Sequence, residues 1–121
     1  MTKKEAKEKL LYHSSDKGFL GMLRPFEGKL IKAHYLEIME AIKVLAEDLE
    51  KPLIEREIIA SLWAICHLGK DWAVHPNGML RRNKLISDEQ VQEIDSWLED
   101  ISYETFSLLD GLDRENDFDN E

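Results

Sequence analysis

The sequence predicts an all-α fold: a small antiparallel bundle of three long helices plus a short amino-terminal one. Two observations carry this. Three segments repeat apolar residues with a period of about 3.6, and no segment shows the period-2 alternation of a half-buried strand. The 121 residues suit one domain. We place it at residues 1–112 and expect a disordered acidic tail at 113–121.

Lys3 to about Tyr12 reads as the short helix, with Ala6, Leu10 and Leu11 inward. The stretch from His13 to Gly28 holds Gly18, Gly21, Pro25 and Gly28, too much punctuation for a regular element. Its Phe19, Leu20, Met22, Leu23 and Phe26 predict a loop packed over the core. The second helix is expected from Lys29 to Leu49, because Ile31, Tyr35, Ile38, Ile42, Leu45 and Leu49 recur at spacings of 4, 3, 4, 3 and 4. Pro52 fits the first turn of a third helix, where its missing N–H costs nothing. That helix continues through Leu68, and its apolar residues wrap most of the circumference, which predicts a central position with Trp63 on an inner or border face.

His75-Pro76-Asn77-Gly78 is a turn signal. The connector from Met79 to Ile86 is expected to lie against the bundle through Met79, Leu80, Leu85 and Ile86, with Arg81 and Arg82 reaching back to carboxylates of the last helix. The last helix has the strongest start signal. Ser87 is its N-cap, Gln90 can return the capping-box bond, and Asp88 and Glu89 favour the positive end of the dipole. Val91, Ile94, Leu98, Ile101, Thr105, Leu108 and Leu112 form its stripe, and Gly111 is its stop.

Charge is distributed unevenly. Residues 1–87 hold 12 Asp/Glu and 15 Lys/Arg, whereas residues 88–121 hold 13 Asp/Glu and only Arg114. The overall net charge of −9 argues against nucleic acid as a direct ligand, since phosphates require a basic surface. The longest uncharged stretch, Ile58–Gly69, is too short to span a bilayer. The first residues lack the apolar core of a signal peptide. A single cysteine, Cys66, cannot close an intrachain disulfide, so a cytoplasmic location is expected.

Glu89, Glu93, Asp100 and Glu104 share one face of the last helix, opposite its apolar stripe. Such a face is either solvated and partly neutralised by the Lys-rich first helix, or a docking surface for a basic protein. Trp72 stands beside Arg81 and Arg82 in a composition common at interaction hot spots, and more common still where a Trp closes the end of a bundle. His67, Asp71 and His75 are spaced four apart and would share a helical face, but Pro76 pushes His75 out of helical geometry. No metal, cofactor or catalytic residue is therefore assigned. Cys66 reads as a small hydrophobe, because adjacent His67 points about 100° away on a helix.

Small size, acidity and an all-helical pattern make the chain similar in composition to bacterial immunity proteins and antitoxins. No motif carries that likeness, and no residue role follows from it. What it implies is a non-enzymatic cytoplasmic protein that binds, and in its sharpest form inhibits, a basic partner. The suggested partner-binding residues are Glu89, Glu93, Asp100, Glu104, Trp72, Arg81 and Arg82. The alternative is a small enzyme or ligand carrier with a pocket near His67, Asp71, Trp72, His75 and Arg81.

Overall fold

A computed structural model describes residues 1–111. The tail expected at 113–121 and Leu112 of the last stripe lie outside the described residues. Within them the chain is helical and has no strand. Its α-helices are α1 (Lys3–His13), α2 (Phe19–Leu23), α3 (Lys32–Val44), α4 (Ala46–Leu49), α5 (Arg56–Gly69), α6 (Met79–Arg82) and α7 (Asp88–Asp110).

Four of these, α1, α3, α5 and α7, enclose the core, with α1 against α3 and α5, and α7 against α5 and α3. Pairings along their lengths give the directions. Lys9 meets Glu37 and Lys3 meets Glu47 and Asp48, so α1 and α3 are antiparallel. Gly69 abuts Leu98, while Ile59 and Leu109 line one hollow, so α5 and α7 are antiparallel. Gln90 reaches Gly28 and Tyr35 reaches Asp100, so α3 and α7 run the same way. The antiparallel rule expected from the sequence holds within each pair and fails between the pairs.

Capping fixes the ends that the sequence announced. Ser87 Oγ accepts the Gln90 N–H, and the Gln90 side chain accepts the Ser87 N–H, a complete capping box. Gly111 closes the other end of α7 in the left-handed region at φ 69°. Thr2 and Glu5 form a second capping box on α1. Ala6 and Leu10 of α1 are buried, but Leu11 faces solvent.

Several expected boundaries move. The Gly-rich stretch contains α2, whose Phe19, Leu20, Met22 and Leu23 are buried. The second helix starts only at Lys32, because Gly28 is in the left-handed region at φ 88° and its carbonyl accepts from Gln90. The same helix breaks at Leu45 (φ −91°, ψ 7°), and both Leu45 and Leu49 remain buried across the break. Pro52 lies outside the third helix, which starts at Arg56. Leu53 is 89% exposed, so a turn there would gain no packing to offset the entropy of fixing it.

At its far end α5 does not stop at Leu68. It runs to Gly69 and continues as a π-helical turn, Lys70–Val74, in which the His75 N–H bonds to the Lys70 carbonyl. A Cβ on Gly69 would stand 2.8 Å from Leu98, so the missing side chain is what lets α5 approach α7. Gly78 folds back onto this turn; a Cβ there would be 2.3 Å from the Asp71 carbonyl oxygen. The connector lies against the bundle through buried Leu80 and Ile86 and half-buried Met79. Leu85, expected as an anchor, is 52% exposed. It occupies the position just past the αL residue that ends α6, where the chain turns outward.

Candidate functional site

The question raised by the acidic face is whether anything inside the fold neutralises it. The lysines of α1 do not. Lys3 pairs with Glu47 and Asp48 at 3.4 Å, Lys7 with Glu55 and Glu57, and Lys9 with Glu37 at 3.5 Å. All these carboxylates lie in or just before α3, α4 and α5. Among the described residues one cation pairs with α7: Lys70, which holds Asp95 at 3.9 Å and also Glu99. Those two belong to the flank of α7 that faces α5. Glu89, Glu93 and Glu104 are exposed and have no ion pair among the described residues.

Asp100 differs from its three neighbours. It accepts a 2.7 Å hydrogen bond from the Tyr35 hydroxyl, and the Tyr35 ring stacks on Trp97 at 5.3 Å and 8°. The hydrogen bond to a carboxylate pushes the Tyr35 phenol up to about 12. Asp100 therefore helps dock α3 on α7.

Comparison with family models, with curated proteins and with solved structures returns no significant match.

The residues grouped by the sequence as one pocket are divided by the fold. His67, Asp71 and His75 line an open hollow of about 440 Å³ with Cys66, Lys70, Val74 and Pro76. Trp72 lines another, of about 330 Å³, with Ser14, Ser15, Asp16, Leu20, Arg24 and Leu68. The Arg24 guanidinium sits 5.4 Å from the Trp72 ring centroid, a cation–π contact that engages Trp72 at the end of the bundle. Arg81 donates 2.9 Å to the Val74 carbonyl and so braces the π turn. Neither Arg81 nor exposed Arg82 reaches a carboxylate of α7 among the described residues, contrary to expectation.

Within the larger hollow the chemistry is quiet. His67 stacks on Trp63 at 4.4 Å and 12°, and His75 Nδ1 accepts the Asn77 N–H. No group of three His, Cys, Asp or Glu residues is arranged to hold a metal ion among the described residues. Burial pushes the Cys66 thiol above its ordinary value, which disfavours the thiolate a nucleophile needs.

A histidine–carboxylate pair lies elsewhere, at a residue the sequence reading passed over. His13 is fully buried; its Nε2 stands 2.8 Å from Glu37 and its Nδ1 accepts the Phe19 N–H at 3.1 Å. The second contact fixes the tautomer with the proton on Nε2, donated to Glu37. With both nitrogens engaged, the ring ties α1, α2 and α3 together and has no lone pair to offer a substrate. No sequence spacing signals this pair, because its members are 24 residues apart.

The other unexpected feature is apolar. Trp63, placed on an inner or border face by the sequence, is 59% exposed, and Phe106 on α7 is 56% exposed. They stand on opposite banks of a trough of about 220 Å³ floored by Leu62, Cys66, Ser102 and Thr105.

Proposed function

We propose that this chain is a non-enzymatic, cytoplasmic helical protein that binds a basic protein partner, in its sharpest form as an inhibitor of that partner. The observation that carries this reading is the pairing of Lys3, Lys7 and Lys9 with carboxylates outside α7, which leaves Glu89, Glu93 and Glu104 as an exposed acidic row. Holding like charges together on one surface is mildly unfavourable, and it steers an oppositely charged protein into encounter. The single cysteine and the absence of a membrane-crossing helix among the described residues are compatible with a reducing, aqueous compartment.

The test is a Glu89→Gln/Glu93→Gln/Glu104→Gln variant that leaves Asp100 and its bond to Tyr35 intact. The parent protein should retain a basic protein from host lysate at low salt and release it as salt rises, because on-rates gained by steering fall with ionic strength. The variant should retain at least tenfold less of it while melting within a few degrees of the parent. Unchanged retention by the variant would overturn the reading.

A further inference from the structure

We propose that α2 is a proton-gated flap: a second proton on buried His13 removes the cap of α2, which then lifts from the bundle and exposes the apolar surface beneath it. The device is independent of the acidic row on α7 and holds whether or not that row binds a partner.

The gate is built by a close approach. His13 ends α1 and is fully buried. Gly18 brings the returning backbone down onto it; a Cβ there would stand 2.6 Å from the His13 Cα and 2.7 Å from Nδ1. This aims the Phe19 N–H at Nδ1, 3.1 Å away. Phe19 is the first residue of α2, where a helix has no carbonyl of its own to offer, and Gly18 supplies no side-chain cap. The imidazole therefore caps α2. A serine or threonine cap is a permanent acceptor, whereas an imidazole nitrogen accepts only while it carries no proton. Nε2 already holds the proton donated to Glu37, so a second one can enter only at Nδ1. It would set two donors face to face in the core, and the Phe19 N–H must leave.

The charged groups around the ring do not remove this conflict. Glu37 of α3 attracts the charged ring, but at Nε2 and not at the nitrogen being filled. Lys9 of α1 and a charged His34 of α3, whose ring is 5.0 Å away, repel it. Tyr12 of α1 lays an edge on it at 5.1 Å. Neither α2 nor residues 58–65 of α5 carry a titratable side chain. Closed, the pocket gives the second proton a donor to face; open, it gives water.

Burial of Phe19, Leu20, Met22 and Leu23 holds the flap shut at neutral pH. Phe19 lies 6.5 Å from Trp97, and Arg24, just past the other end of α2, lies over Trp72. Opening uncovers both rings. One proton is coupled to the motion, so the open fraction rises by no more than about tenfold for each pH unit below 6.5.

The test is amide hydrogen exchange of the uniformly ¹⁵N-labelled full chain over a pH series, corrected for the intrinsic pH dependence of exchange. Side-chain ¹⁵N spectra of the four histidines in the same samples report the His13 tautomer and charge. At neutral pH His13 should carry its proton on Nε2. Below pH 6.5, protection of the Phe19, Met22 and Arg24 amides, which bond His13, Gly18 and Leu20, should fall by up to about tenfold per pH unit. Leu98 and Ile101 of α7 should keep theirs. His34→Gln should leave the loss in place and His13→Gln should abolish it. Should His13→Gln fail to fold, the parent series still decides. A doubly protonated His13 with the three amides still protected would overturn the proposal, as would protection that stays flat until acid unfolding. Equal loss in α2 and α7 would also overturn it, since His13 would then act on global unfolding alone. So would a loss that His34→Gln removes or that a folded His13→Gln retains.

Discussion

His13 shows how a single buried side chain can couple this fold to pH. Burial lowers its affinity for a second proton, and the Phe19 N–H occupies the nitrogen where that proton would go. Glu37 and Lys9 face the ring from α3 and α1, and His34 packs against it at 5.0 Å. Glu37 favours the charged ring, Lys9 and a charged His34 oppose it, and desolvation outweighs them all. The folded value lies below the unfolded 6.5, so the stability it confers is complete above 6.5 and is lost as pH falls from there through the folded value. Thermal midpoints should drop as the pH falls below 6.5. His13→Gln should melt lower at neutral pH and lose most of that slope, with a remainder from His34, whose value burial also lowers. A second titration belongs to Tyr35. Its phenol should ionise only near 12 in a spectrophotometric titration, and Asp100→Asn should bring it down toward 10. His13 was illegible in the sequence because its partners come from three elements and are fixed only after those elements pack.

At the scale of elements, local signals were legible and packing signals were not. Ser87 and Gln90 lie within one turn and need only each other, so the start of α7 could be read directly, as could its end at Gly111. The break at Leu45, the late start of α5 and the π turn after Gly69 depend on what packs there: Leu45 and Leu49 stay buried across the break, whereas exposed Leu53 gains nothing from a helical turn. Trp63 was misplaced for a related reason. An all-round apolar helix reads as central, whereas here one of its sides faces a trough whose opposite bank comes from α7. The end of α6 yields a clear expectation. The Leu85 N–H bonds the Leu80 carbonyl and the Lys84 N–H bonds that of Arg81, with Lys84 at φ 56°. This is a Schellman motif with lysine where glycine is favoured. Lys84→Gly should therefore stabilise the fold by about 1 kcal/mol, read as a higher denaturation midpoint. Gly69→Ala should act in the opposite sense, costing about 1–3 kcal/mol as Leu98 is forced aside.

For the whole molecule the decisive property is the separation of charge. Lys3, Lys7 and Lys9 of α1 pair with carboxylates of α3, α4 and the start of α5, so these three do not neutralise the excess on α7. That much could be suspected from the sequence, but which carboxylates the lysines choose depended on the bundle's layout. The consequence can be measured on the isolated protein. Glu89 and Glu93 are four residues apart, as are Asp100 and Glu104, and each like-charge pair costs a few tenths of a kcal/mol. Glu89 also lies in the first turn, where the helix dipole favours its charge, so the cleaner variant keeps it. Glu93→Gln/Glu104→Gln should raise stability by about 0.5 kcal/mol at low ionic strength. The gain should vanish near 1 M salt, where the screening length falls to about 3 Å. If the pair of substitutions instead destabilises the protein, and does so at every salt concentration, these carboxylates serve the fold itself, and the case for a docking face falls with them.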